Sequence, residues 1–206
     1  MPKRKILPIL AIALLLTATA ATAQVRRGVE AAFNLTGLHM KQDLVTVNNV
    51  PGFKVGFTIE SMFPGIGFGI NTGAYYSLRG ANMKLGEKKV WAADGYGDVR
   101  PYLHYLEIPF HLRFKWTRMN GLEDYVAPFV YGGPTLSLMV AHSKCDALSH
   151  AFGEVGLTAG LGFEIVHRWQ ITGSYTWGLT YALKTLKLDN YSGRNRQLSV
   201  GLTYFF

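Results

Sequence analysis

Beyond residue 24 the chain has no long apolar run, and its hydrophobic residues instead alternate with small polar ones along eight segments. Hydrophobic residues make up 49% of the sequence, yet no segment offers the ~20 consecutive apolar residues of a membrane-spanning helix. The clearest alternation begins at Trp169, with bulky apolar side chains set against small polar ones: Trp169, Ile171, Tyr175, Trp177, Leu179 and Tyr181 against Gln170, Thr172, Ser174, Thr176, Gly178 and Thr180. Because successive side chains of a strand point to opposite faces, each segment is predicted to be a strand with one apolar and one polar face.

The segments predict eight strands in chain order, at about 28–38, 53–63, 67–79, 102–116, 125–140, 152–166, 169–181 and 194–206. The fifth is the least regular, because Pro128 and Pro134 each remove a ladder donor, and a bulge or bend is expected there. The connections at 64–66, at 117–124 and around His167 are short, whereas 39–52, 80–101, 141–151 and 183–193 form longer loops. Short turns at one end and long loops at the other are typical of outer-membrane barrels.

A membrane barrel has an apolar outer face, whereas a soluble, lipocalin-like barrel has a polar one. The polar face is mostly Gly, Ser, Thr and Asn with a few charges, which suits the narrow interior of an eight-stranded barrel better than a surface in water. Aromatic residues of the apolar face lie near strand ends, as in membrane-interface girdles: Trp116, Trp169, Tyr181, Tyr204 and Phe206. We therefore predict an all-β, eight-stranded antiparallel transmembrane up-and-down barrel of the outer-membrane type. Its first and last strands must pair, because an open edge is not tolerated in lipid.

The first 23 residues have the features of an export signal. Lys3, Arg4 and Lys5 precede an apolar stretch at 6–16, and the Ala-Thr-Ala of residues 21–23 provides a cleavage pattern. We predict a signal peptide at 1–23 and a barrel domain at 24–206; an uncleaved anchor is the alternative, and the short apolar run argues against it. Without the three signal-peptide cations, 18 Lys and Arg face 13 acidic residues, a net charge of +5. These cations are scattered, which argues against nucleic acid and fits anionic lipid head groups.

The predicted inner face carries charges of both signs, contributed by most of the strands: Glu30, Lys54, Glu60, Arg79, Glu107, His111, Arg113, Lys115, Glu154 and Glu164. A charge in a low-dielectric enclosure needs a partner, so the leading interpretation is a network of ion pairs that fills the lumen and fixes strand register. The alternative is a catalytic or ligand site built on Glu107, His111 and Arg113. Eight strands leave an interior only just wide enough for side chains, so a general diffusion pore is not expected.

No catalytic, metal or cofactor motif stands out. A lipid-modifying enzyme would need a histidine, a serine and a carboxylate close together near the outer leaflet, and the available candidates do not converge: His104, His142, Ser143, Ser149 and His150. The six histidines and Cys145 show no HExxH or paired-ligand spacing, and the single cysteine has no disulfide partner. Gly65, Gly67 and Gly69 precede a strand, whereas a phosphate-binding loop opens a helix. We expect a protein that is not an enzyme and uses no cofactor or metal.

One segment resembles a motif of a known family, and another resembles an assembly signal. Residues 105–109, Tyr-Leu-Glu-Ile-Pro, resemble the YLEIP-type motif of the PorT family of outer-membrane β-barrel proteins. That resemblance implies an outer-membrane barrel and, from the member that gives the family its name, an accessory role in type IX protein secretion; it supplies no catalytic residues. Pro109 within a strand suggests a local bulge. The end of the chain looks like the β-signal by which the barrel-assembly machinery recognises its substrates: Ser199, Gly201, Tyr204 and Phe206.

The sequence therefore predicts an integral outer-membrane protein whose barrel presents four external loops for binding or interaction, since rigid scaffolds commonly place recognition on their loops. The alternatives are an accessory component of a secretion system and, third, a lipid-modifying enzyme. The expected partners are outer-membrane lipid, the barrel-assembly machinery and an envelope or secretion-system protein, and we expect a monomer.

Overall fold

A computed structural model describes residues 24–40, 46–65, 67–84, 98–99, 102–142, 148–150, 153–180, 183–185 and 192–206. The predicted signal peptide, Tyr181 and Cys145 lie outside the described residues. Within this part, no helix is long and apolar enough to cross a membrane.

The described residues form eleven strands, eight of which are long enough to make a barrel wall. In chain order they are β1 (Gln24–Met40), β2 (Thr46–Met62), β3 (Phe68–Lys84), β4 (Asp98–Val99), β5 (Tyr102–Lys115), β6 (Val126–His142), β7 (Leu148–His150), β8 (Gly153–Ile165), β9 (Trp169–Gly178), β10 (Leu183–Thr185) and β11 (Ser192–Phe205). The eight long strands pair antiparallel in the order β1-β2-β3-β5-β6-β8-β9-β11, and β1 also pairs with β11. That last ladder runs from Gly28 opposite Phe205 to Met40 opposite Gly193. The predicted closed, eight-stranded antiparallel barrel is confirmed.

The barrel is polar inside and apolar outside. Asn34, Glu60 and Ser77 are fully buried, whereas Phe57 is 67% exposed and Leu161 is 58% exposed. A protein in water would bury the second kind of side chain and expose the first. The outer surface of the wall therefore suits contact with hydrocarbon. Closure of the barrel gives hydrogen-bond partners to the backbone N–H and C=O groups, which lipid cannot provide.

The strands extend further into the loop end than predicted. The first loop was expected at 39–52, but β1 continues to Met40 and β2 begins at Thr46. The short strands β4, β7 and β10 pair with β3, β10 and β11 respectively, so they continue the wall into the second, third and fourth loops. The β-branched residues of Thr46–Val50 suit extended backbone, but the segment lacks the apolar and polar alternation by which strands were predicted. Parts of all four predicted loops are thus strand.

Pairing of β5 is interrupted next to Pro109 on both sides, without a register shift. Pro109 pairs with Thr135, and the β5–β6 ladder resumes at Leu112 and Gly132 in unchanged register. Towards β3 the ladder is interrupted between the pairs Thr72–Phe110 and Tyr75–Glu107, again without a shift. The absent N–H of Pro109 therefore removes pairing but inserts no extra residue.

In β6, pairing with β8 keeps one register through both Pro128 and Pro134. The register shift of the β5–β6 ladder lies further out, between His104 and Tyr105. A second shift, between Asn49 and Phe53 of β2, coincides with Pro51. No register shift of the described ladders falls at Pro109, Pro128 or Pro134, so the expected bulge is not found there, and the alternative expectation of a bend in β6 stays a prediction.

The predicted short turns are confirmed, and several need left-handed backbone. Gly65 and Gly67 have φ of 83° and 71° in the β2–β3 turn. The β8–β9 turn places Val166 at φ 48° and His167 at φ 56°. Between β5 and β6, the chain forms a 3-10 turn at Leu122–Asp124.

Candidate functional site in the barrel interior

The structure places the ten predicted inner-face residues inside the barrel together with Arg26. The described interior contains five carboxylates (Glu30, Glu60, Glu107, Glu154 and Glu164) and five Lys or Arg cations (Arg26, Lys54, Arg79, Arg113 and Lys115), and every one of them makes an ion pair. They divide into an outer group, a middle group and a periplasmic group. The last lies at the end that holds the start of β1, the end of β11 and the short turns, which is the periplasmic end of such a barrel.

The outer group is built on Arg79 of β3. Its Nη2 lies 2.6 Å from Oε1 of Glu107, and its Nη1 lies 3.2 Å from Oε2 of Glu154. Nη2 also donates to the hydroxyl of Ser137 at 3.0 Å, and Asn195 donates to the Glu154 carboxylate at 2.6 Å. One guanidinium therefore serves two carboxylates from β5 and β8, and the buried acceptors have charged or polar donors.

The periplasmic group is built on Glu60 of β2. Arg26 and Arg113 contact its carboxylate directly, Lys115 lies 3.3 Å away, and the amide of Gln170 donates to it at 3.0 Å. Arg26, Lys115 and Gln170 also contact Glu164, so the two carboxylates share three of the four partners. The group joins β1, β2, β5, β8 and β9 across the lumen.

The middle group combines one ion pair with a chain of hydroxyl groups. Nζ of Lys54 lies 2.8 Å from Oε1 of Glu30. Nε2 of His111 lies 3.0 Å from Oγ1 of Thr135, and the chain continues to Thr158 and then Thr176 with spacings of 2.9 Å. These bonds run across β5, β6, β8 and β9 and hold the neighbouring strands in register.

The alternative site on Glu107, His111 and Arg113 does not form one cluster. Glu107 pairs with Arg79 in the outer group, Arg113 contacts Glu60 in the periplasmic group, and His111 belongs to the hydroxyl chain. The three side chains share a strand and a face, but each has partners on other strands. Among the described residues, no group of three or more His, Cys, Asp or Glu could hold a metal ion.

Four interior cations also lie over aromatic rings. The guanidinium of Arg113 stands 4.1 Å from the centroid of Phe129, and that of Arg79 stands 4.7 Å from Tyr105. Lys54 lies over Tyr75, and Arg26 over Phe205, each at 4.6 Å. Such contacts stabilise a cation where water is scarce, so they reinforce the ion pairs.

Sequence reasoning missed Arg26, Asn195 and several ring partners. Arg26 shares the even-numbered register of Glu30. Starting the first predicted strand two residues earlier would have placed Arg26 on the inner face. Asn195 shares the register of Gln197 in the same way. Arg26 also makes the described interior electrically balanced, with five charges of each sign.

Two cavities of very different size lie in the described part of the barrel. Between the outer and periplasmic groups, a cavity of about 30 Å³ is lined by Lys54, His111 and Gln197 among others, which is room for about one water molecule. At the periplasmic mouth, an open cavity of about 900 Å³ has Arg26, Lys115 and Glu164 among its lining residues. Glu123 lies at its rim, where its own backbone N–H and those of Met119 and Gly121 hold its carboxyl pKa below the usual range.

The other predicted candidates lie elsewhere. His104 is on the outer wall, with Nδ1 2.5 Å from the Tyr76 hydroxyl. Ser143 lies outside the described residues, and the side chains of His142, Ser149 and His150 are not described, so the structure does not address these loop positions.

The four residues of the predicted assembly signal lie on both faces of β11 and, for Phe206, directly after its end. Ser199 is buried, and a Cβ at Gly201 would lie 2.9 Å from Oγ1 of Thr172. Tyr204 packs its ring 4.8 Å from that of Trp169, and Phe206 is 74% exposed. Their role in assembly stays a prediction.

A closed barrel with a lipid-facing apolar wall and a paired ionic interior defines an integral outer-membrane β-barrel protein. Residues 20–184 match the family described as outer membrane protein beta-barrel domain, and the chain belongs to that family. Its predicted location in the outer membrane is thereby confirmed.

Solved structures of outer-membrane barrels resemble this chain in fold. OprG from Pseudomonas aeruginosa is 13% identical, with a TM-score of 0.53 over 88% of this chain and 94% of OprG. Ail from Yersinia pestis, in complex with the heparin analogue sucrose octasulfate, is 15% identical, with a TM-score of 0.45 over 89% and 99%. The outer membrane enzyme PagL is 8% identical, with a TM-score of 0.45 over 84% and 98%. No curated protein matches the sequence.

Proposed function

We propose that the protein is a non-enzymatic outer-membrane barrel that presents its external loops for binding or interaction. The observation that carries this proposal is the continuity of the wall: β4, β7 and β10 pair onto strands that belong to the barrel or extend from it. Recognition loops work best on a rigid base, and the paired charges of the interior supply that rigidity.

The interior favours a scaffold over a pore. The middle cavity of about 30 Å³ is far below the volume of a small solute, and the groups on either side of it are joined by ion pairs. We expect no steady conductance from the purified protein in a planar bilayer. Stable ion conductance through the folded barrel would contradict the scaffold proposal.

The loop role can be tested by complementation of a deletion strain in competitive growth. One variant replaces residues 41–45, 85–97, 143–147 and 186–190 by Gly-Ser linkers of equal length; the matched control changes the interior instead, as Thr135→Val with Thr158→Val. Both should reach the membrane as heat-modifiable barrels. We expect only the control to restore fitness, and full rescue by the loop variant would refute the proposal.

The resemblance of residues 105–109 to the PorT family favours an accessory role in secretion as the second candidate. In this structure Tyr105 lies under Arg79, and Glu107 pairs with it, so two residues of the motif have a packing role of their own. Loss of secreted cargo in the deletion strain would favour the accessory role, and normal secretion would exclude it.

The absence of enzyme activity is also part of the proposal. Among the described contacts, His104 bonds through its side chain to Tyr76, and neither a serine nor a carboxylate joins the pair. Overexpression should leave the mass spectrum of the membrane's lipid A unchanged, and a new lipid A species would support the enzyme alternative instead.

A further inference from the structure

Two arginines face outward at the loop end of β11. Arg194 and Arg196 share the outward register of Leu198, Val200 and Leu202, which are 47%, 57% and 47% exposed. The interior cations described above all have carboxylate partners. Arg196, by contrast, has an exposed side chain. It makes no ion pair within the described part of the chain.

The position of Arg196 along the strand sets its depth. From Arg196 to Phe206 is ten residues, which at ~3.4 Å per residue and a tilt of about 40° rises roughly 26 Å along the barrel axis. The apolar band of such a barrel is about 25 Å tall. With Phe206 at the periplasmic edge of the band, Arg196 lies at its outer edge, at the height of the outer-leaflet head groups.

The cross-strand neighbours of Arg196 add polar groups at the top of the apolar wall. Trp177 lies opposite it on β9, and Gly37 lies opposite it on β1. Gly37 has no side chain, and Oδ1 of Asn49 fills the space above it, because a Cβ at Gly37 would lie only 2.1 Å from that oxygen. An indole and an amide therefore stand at the two positions beside Arg196, and both side chains carry N–H donors.

We propose that Arg196, together with Arg194 and Trp177, binds a phosphate group of an outer-leaflet lipid. A guanidinium presents paired donors that match a phosphate, and an arginine on the lipid face is tolerated near the interface, where such a counter-ion is available. The site fixes the barrel to one phospholipid or phosphoglycolipid head group at the seam between the first and last strands. This inference does not depend on the proposed role of the loops.

The test uses the mature chain, residues 24–206, in zwitterionic detergent, with lipid binding measured by native mass spectrometry. The probes are bisphosphorylated lipid A and the same lipid without phosphates. The variants are Arg196→Gln and Arg194→Gln/Arg196→Gln; Arg27→Gln is the matched control, because Arg27 is also exposed and outward-facing but lies at the periplasmic end. Heat-modifiable migration on gels establishes that each variant is folded.

Wild-type protein should prefer the phosphorylated lipid. We expect Arg196→Gln to weaken its binding roughly fivefold and the double variant roughly 25-fold, from the contribution of each arginine at a membrane surface. Arg27→Gln should bind as wild type does. Equal weakening by Arg27→Gln, or equal binding of the dephosphorylated lipid by wild type, would overturn the proposal. Competition by equimolar inorganic phosphate would show a free-phosphate site and would overturn the lipid assignment.

Discussion

The guanidinium of Arg79 on β3 and the carboxylate of Glu107 on β5 form a buried ion pair, with Nη2 2.6 Å from Oε1. Glu154 on β8 takes the other side of the same guanidinium at 3.2 Å. The three side chains are 6% exposed or less. Because water cannot replace a missing partner here, each group depends on the other two.

Removing Arg79 alone should therefore be costly. Arg79→Met leaves two carboxylates buried together, and we expect the free energy of unfolding, measured by urea titration in detergent micelles, to fall by about 3–5 kcal/mol. The triple variant Arg79→Met/Glu107→Gln/Glu154→Gln removes the charges together and should recover most of that loss. A triple variant as unstable as the single one would show that charge pairing is not what stabilises this group.

Gly133 should resist any side chain. It has φ of 154°, and an added Cβ would lie 2.3 Å from the carbonyl oxygen of Phe110 on the neighbouring strand. We expect Gly133→Ala to lower the free energy of unfolding by about 1–3 kcal/mol. At Gly173 an added Cβ meets nothing within 4 Å, so Gly173→Ala should change stability by less than about 0.5 kcal/mol. Similar losses at both positions would disprove the steric explanation.

The β8–β9 turn should gain stability from an asparagine. Val166 is β-branched, has φ of 48° and is 59% exposed, so it bears strain with little packing in return. Asparagine tolerates left-handed backbone, and Val166→Asn should raise the free energy of unfolding by about 1 kcal/mol. Val140→Asn makes the same change at a residue that is 61% exposed on an extended strand and should not stabilise. Urea titration of both variants distinguishes turn strain from a general effect of asparagine.

Phe206 should matter for assembly more than for stability. Its ring is 74% exposed, while its backbone N–H donates to the carbonyl of Arg27 at 3.1 Å, a bond that Phe206→Ala keeps. We expect the refolded variant to lose no more than about 1 kcal/mol, yet to accumulate severalfold less in the outer membrane. Phe57→Ala removes a ring that is 67% exposed on β2 and should reach normal levels. Equal membrane levels of the two variants would argue against a carboxy-terminal signal.

The strands were predictable because lipid imposes one rule on every position of the wall. Phe57, Leu161 and Val200 are exposed, and their alternation with small polar residues is visible in the sequence. The same rule fails where a strand leaves the membrane. There Thr46 and Ser192 begin strands, and the sequence does not show their pairing with Lys84 and Lys184.

The packing of the interior was less predictable, because it depends on side chains of one strand fitting against those of its neighbours. Phe129 was not assigned to either face, yet its ring is buried beneath Arg113. Its space comes from Gly162, directly opposite on β8, where an added Cβ would lie 2.6 Å from the ring. Large and small residues compensate across the ladder, and a single-strand pattern does not contain that information.

The way Glu60 is partnered has a consequence for how the protein folds. Arg26 contacts it from the neighbouring strand β1, but Arg113 and Lys115 on β5 and Gln170 on β9 lie on strands that are not adjacent to β2. A half-assembled sheet could keep Arg26 opposite Glu60, but it would hold Arg113 and Lys115 apart from that carboxylate and hydrated, a state unfit for hydrocarbon. Insertion should therefore be an all-or-none event, in which the seam between β1 and β11 closes as Glu60 meets its cations from β5.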